Sequence, residues 1–176
     1  GEFSDRGGHY VTELRVDSHS SGSGNHGVTD FTKQAILSGS LSANGPVVVN
    51  AAAPAVVLAY NQQDYRGSVT IGAANAHLVA GDIRFFDTVN LQRNALKVTV
   101  SGANSEARSA IGGTGDFIKS GVGALTLLNA SSQIGHTTIE DGLLNIGTVV
   151  APAELISNVA IAGGTLGGDG TLRGSV

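Results

Sequence analysis

Hydrophobic residues recur along this chain in a fixed figure. An aliphatic residue stands three places before a glycine, and one or more alternating aliphatics follow. Ile36-Leu37-Ser38-Gly39-Ser40-Leu41 shows it first, and Leu78-Val79-Ala80-Gly81-Asp82-Ile83-Arg84-Phe85 repeats it. Ile139-Glu140-Asp141-Gly142-Leu143-Leu144-Asn145-Ile146 and Ile161-Ala162-Gly163-Gly164-Thr165-Leu166 are further copies. Ile118-Lys119-Ser120-Gly121 opens another, with two residues inserted before Leu125 and Leu127. The first aliphatics fall at 36, 78, 118, 139 and 161, in steps of 42, 40, 21 and 22. The double steps predict intervening strands near 57 and 98. There Val56-Val57-Leu58-Ala59-Tyr60 and Leu96-Lys97-Val98-Thr99-Val100 are good strands without the glycine in place.

A period of roughly 21 residues sustained over most of a chain is the signature of a solenoid. The units are short alternating strands with turn residues between them, and no segment carries a helical period of apolar residues. Alternation within each unit buries one side of every strand. One such coil cannot stand alone, because its backbone donors and acceptors and its apolar side chains need neighbours above and below. Stacking coils in parallel gives an all-β, single-stranded parallel β-helix, and seven coils at ~4.8 Å each make a rod of ~34 Å. Asp141-Gly142, Gly163-Gly164 and the run Gly167 to Gly170 read as its tight corners, where glycine supplies positive φ or close approach.

Composition supports an all-β reading. Glycine accounts for 26 of 176 residues, about twice average usage, yet there is no Gly-X-Y period, which excludes collagen. A hydrophobic content of 41% with a net charge of −4 excludes a disordered chain. That charge gives no reason to expect nucleic acid as a partner. Cysteine is absent, so no disulfide framework or thiolate metal site exists, and the chain suits export unfolded through an oxidising compartment. No apolar run approaches the ~18 residues of a membrane span.

Residues 1–30 differ from the rest. They are polar and rich in Gly, Ser, Asp and His, and only Tyr10 to Val16, "YVTELRV", alternates as a strand. This segment reads as a flexible lead-in, partly a cloning remnant at "GEF", before a β-helix over 31–176. The closing "GTLRGSV" stops inside a strand-like pattern, as a fragment does.

Residues 112–147, "GGTGDFIKSGVGALTLLNASSQIGHTTIEDGLLNIG", resemble the passenger-associated transport repeat of bacterial autotransporters. The resemblance rests on Gly113, Gly115, Ile118, Lys119, Gly121, Gly123, Leu125, Leu127, Asn129, Gly135, Thr137, Thr138, Gly142 and Leu144. Ser120 lengthens the lysine-to-glycine spacing by one. Residues 148–176 look like the Gly-rich coil that trails this repeat. The resemblance implies a right-handed β-helix, placed at the bacterial cell surface, in the outer membrane or in the secreted medium. It also implies that this is the C-terminal, autochaperone part of a virulence protein delivered by type V secretion. The implied partners are upstream passenger coils and a C-terminal outer-membrane barrel, and the implied job is a folding template and stalk, with no enzymatic activity and no cofactor. An adhesin surface binding a host protein or glycan is the alternative, and a carbohydrate-active β-helix enzyme a third.

The chemistry-bearing residues form no motif. Gly22 to Gly27, "GSGNHG", matches GxGxxG by letter but has no strand before it and no helix after it, so it reads as a loop. His9, His19 and His26 have no ligand spacing, and His136 lies in a polar stretch. No nucleophile turn of the GxSxG kind occurs. Asp82, Asp116 and Glu140 are the acids that stacking might align across a groove, as paired carboxylates in polysaccharide cleavage require. Of the clustered aromatics Tyr60, Tyr65, Phe85 and Phe86, alternation turns Phe85 inward and Phe86 outward, packed beneath a loop at Tyr60 to Gly67, "YNQQDYRG". Asn129 is a glycosylation acceptor by pattern only. No catalytic, cofactor or metal residue is assigned.

Overall fold

In a computed structural model the protein winds as a parallel β-solenoid of about 21 residues per turn, with no helix among the described residues. The structure describes residues 13–16, 29–31, 35–37, 40–49, 55–72, 75–128 and 131–176. Every pairing between its named strands is parallel. Successive coils run 35–49, 55–71, 76–90, 96–112, 117–133, 137–156 and 159–173, here called coils 1 to 7. Each coil contributes a strand segment to each of three faces, as in Phe117–Ser120, Ala124–Leu127 and 131–133 of coil 5, and some strands, such as Ala55–Tyr65, run across a corner from one face to the next. Among the described residues, two strands lie before coil 1. Glu13–Val16, inside the alternating "YVTELRV", pairs with Ser40–Ala43, and Thr29–Phe31 pairs with Val47–Val49. The rest of 1–30, including His9, His19, His26 and Gly22 to Gly27, lies outside the described residues.

Side chains that alternate inward form columns parallel to the rod axis. On the first face the column is Val57, Leu78, Val98, Lys119 and Ile139, with Ala35 of coil 1 and Ile161 of coil 7 in backbone register at its two ends. Strands near 57 and 98 therefore fill the double steps of the sequence pattern. Two members differ from expectation by one place: Ala35 stands where Ile36 was predicted, and Lys119 where Ile118 was. A one-residue slip turns every side chain of a strand to the other side of the sheet, so Ile118 is only half-buried while Lys119 is sealed inside. With Lys119 in register, coil 5 carries one extra corner residue rather than two. Val122 takes up the slack and is 74% exposed.

On the second face one column runs Ala43, Tyr65, Phe85, Ala107, Leu127 and Ile146. Tyr65 and Phe85 stack with centroids 5.4 Å apart, and alanines close the column above and below them. Large rings next to small residues keep the layer volumes even, as dense core packing requires. The neighbouring column holds Gln63 between Leu41 and Ile83. Gln63 is fully buried; its Nε2 donates to the carbonyls of Val57 and Val79 at 3.0 and 2.9 Å, and its Oε1 accepts from the Tyr65 hydroxyl at 2.7 Å. Among the described residues, no buried side-chain nitrogen or oxygen lacks a partner. The predicted loop at Tyr60 to Gly67 is instead mostly strand, the end of Ala55–Tyr65, because Gln63 and Tyr65 satisfy one another inside the core.

Candidate functional site

The residues that stand out chemically gather at the corner between the first and second faces of coils 5 and 6. Lys119 is 0% exposed. Its stem lies in an apolar column, and its Nζ donates to the carbonyls of Ser120 at 2.9 Å, Gly121 at 2.8 Å and Asp141 at 3.2 Å. Burial pushes the ammonium below the ordinary lysine range, against the opposing attraction of Asp141. Gly142 roofs this cage. Its φ is +66°, and a Cβ there would lie 2.3 Å from the carbonyl oxygens of Gly121 and Gly123 and 2.9 Å from Nζ itself. Asp141 holds the turn by accepting from the Gly142 amide at 2.7 Å. In the next coil Gly164 needs no positive φ; a Cβ there would meet the Ile139 side chain at 2.5 Å, so glycine serves close approach between coils.

The sequence marked Lys119 only as part of a resemblance. Its burial was not legible, because a lysine between apolar residues ordinarily faces water. The signal was the run of small residues after it, Ser120, Gly121 and Gly123, which opens a corner lined by bare carbonyls.

The three acids are not brought together. Asp82 accepts from the Asn104 amide at 2.9 Å and the Ser105 hydroxyl at 3.3 Å. Asp116 faces His136 at 3.5 Å on an exposed edge. Glu140 accepts from Lys97 Nζ at 2.6 Å, a contact that reaches across coil 5 and holds its carboxyl below the usual range. Among the described residues no group of three His, Asp or Glu side chains is placed to hold a metal. Asn129 lies outside the described residues.

Phe85 faces inward and Phe86 outward, as alternation predicts. Phe86 is half-buried between guanidinium groups: those of Arg66, Arg108 and Arg84 lie 5.0, 4.9 and 5.9 Å from its ring centroid. Arg84 also forms a two-pronged bond to Asp64, at 2.8 and 3.2 Å. Among the described residues the exposed aromatic is Tyr60, at 65%. It stands at one end of a half-open slot of about 320 Å³, floored by Leu58, Val79 and Thr99 and closed at the far end by Val122. His77 flanks this floor, bonded through Nε2 to the Thr99 hydroxyl at 2.8 Å, and desolvation followed by the charge of Lys97 lowers its pKa.

Fold and site together define a parallel β-solenoid with a carbonyl cage closed around its own lysine. No family model, curated protein or solved structure matches the chain.

Proposed function

We propose that this chain is a C-terminal part of a bacterial autotransporter passenger, serving as folding template and stalk for a surface-displayed or secreted virulence protein. The observation that carries the reading is where the repeat-like residues fall. Residues 112–147 run from the third face of coil 4 to the second face of coil 6, so the stretch that resembles the transport repeat also contains the Lys119 cage. A template must be stable itself and must offer strand edges to the next segment. Parallel stacking supplies both, since each coil leaves alternate backbone donors and acceptors pointing along the axis. For a chain that leaves the cell C-terminus first, coils added by nearest-neighbour pairing would oppose backsliding. The partners on this reading are upstream passenger coils and an outer-membrane barrel.

The test is secretion of the parent protein with residues 100–176 deleted. The expected result is surface material that proteases digest readily. Unchanged protease resistance would overturn the proposal.

The Tyr60 slot favours a second reading, direct adhesion to a host protein or glycan. On that reading, Tyr60→Ala and Val122→Ser together abolish binding on a glycan array or to host cells while leaving thermal unfolding unchanged. Equal signals from variant and wild type would exclude it.

A further inference from the structure

Lys119 is the polar member of an otherwise apolar inward column, and its surroundings are not symmetric along the rod. Two of its three acceptors, the carbonyls of Ser120 and Gly121, belong to its own corner. The third, the carbonyl of Asp141, belongs to coil 6. On the other side its column neighbour is Val98 of coil 4, whose aliphatic side chain offers the ammonium nothing. The lid over Nζ, Gly142, also comes from coil 6. A charged amine left with an unmet donor and no lid stays in water. With Lys119 swung out, coil 5 loses the side chain that fills its first face between Val98 and Ile139.

We propose that Lys119 makes closure of coil 5 conditional on coil 6 being in place, so that this part of the solenoid assembles from its C-terminal side toward its N-terminal side. The apolar members of the column carry no such direction, because Val98 or Ile139 is covered equally well from above or below. Direction comes from the charge, which needs its acceptors and lid before it can be enclosed. This inference takes its biological use from the template reading, where growth must proceed away from the C-terminal coils. Its physical content concerns the isolated chain alone.

The chain has no cysteine, so one buried thiol reports the opening of one coil. Leu127→Cys places it in the core of coil 5, and Ile146→Cys in that of coil 6. Reactivity toward a thiol reagent under native conditions is compared with and without Leu144→Ala, which weakens coil 6. With Lys119 present, the substitution is expected to raise both labelling rates together, by more than about tenfold. With Lys119→Met or Lys119→Leu, position 146 should respond as before while position 127 responds several-fold less. Parallel responses in the Met and Leu backgrounds would overturn the proposal. Failure of both variants to fold would overturn it too, since removing the condition should make coil 5 close more readily. A null result here leaves the deletion experiment on the secreted parent intact, and the reverse also holds.

Discussion

Tyr65 is fully buried. Burial raises its pKa far above the ordinary value of 10.0, which disfavours ionisation while the chain is folded. An acid whose folded pKa lies above its unfolded one contributes stability that is present below the unfolded value and lost above it. Stability is therefore expected to fall above about pH 10, with the Tyr65 tyrosinate signal appearing only as the chain unfolds. Spectrophotometric titration beside circular dichroism checks this, and ionisation ahead of unfolding would contradict it. His77 acts at the other end of the scale. Its pKa is lowered from 6.5, so the unfolded chain binds the proton more readily and stability declines as pH drops through that region. His77→Gln keeps a hydrogen-bonding group beside Thr99 and should remove this step from the pH profile of urea unfolding. Replacing Tyr65 by Phe strips the donor from the buried Gln63 Oε1. It should cost about 1–3 kcal/mol in the same assay.

At the scale of the coil, corners are constrained more tightly than faces. Gly142→Val combines a positive φ, which a β-branched residue scarcely adopts, with a Cβ 2.3 Å from two carbonyl oxygens. No flexible side chain can move away to admit it, because both oxygens belong to the backbone of the coil above. The variant is expected to lose cooperative thermal unfolding. Leu144→Asp, which places a carboxylate in a fully buried column, should do the same. A face position tolerates more: Leu125→Ala should cost about 2–5 kcal/mol and still leave a measurable transition in denaturant. The repeated figure of aliphatic, gap, glycine and alternating aliphatics made these elements legible, down to the strands near 57 and 98. It lined up Ile118 with Ile139 as the first aliphatic of a copy, whereas the strands pair Lys119 with Ile139. Coil 5 has a longer corner, and its extra residue shifts the register so that Lys119 faces in. Gln63 was hidden for a similar reason, since its burial depends on carbonyls of Val57 and Val79 supplied by two different coils.

Across the whole molecule, stability is a sum of nearest-neighbour terms along one axis. Some contacts reach further. The Lys97–Glu140 bond skips a coil, although both side chains are about one-third exposed and solvent weakens it. Among the described residues, the layers of coils 2 to 6 are sealed from both sides, whereas Ile161 of coil 7 is 45% exposed beneath a fully buried Ile139. The apolar column thus continues to the surface of coil 7 instead of ending in a polar layer. The candidate site was legible only in outline. The acids Asp82, Asp116 and Glu140 each meet a different partner, because they occupy different points of the coil: Asp82 precedes Ile83 on the second face, Asp116 comes just before the first-face strand Phe117–Ser120, and Glu140 just after first-face Ile139.

Sequence alone determined that this chain is a stack: spacing of aliphatics and glycines sets the coil length, and strict alternation sets which side of a strand is apolar. Both are local properties, written within a few residues of where they act. Only the tertiary structure decided which of two adjacent residues, Ile118 or Lys119, faces the interior. That choice turns on acceptors from Asp141 and a lid from Gly142, one coil further on, and nothing near Lys119 in the chain encodes their distance.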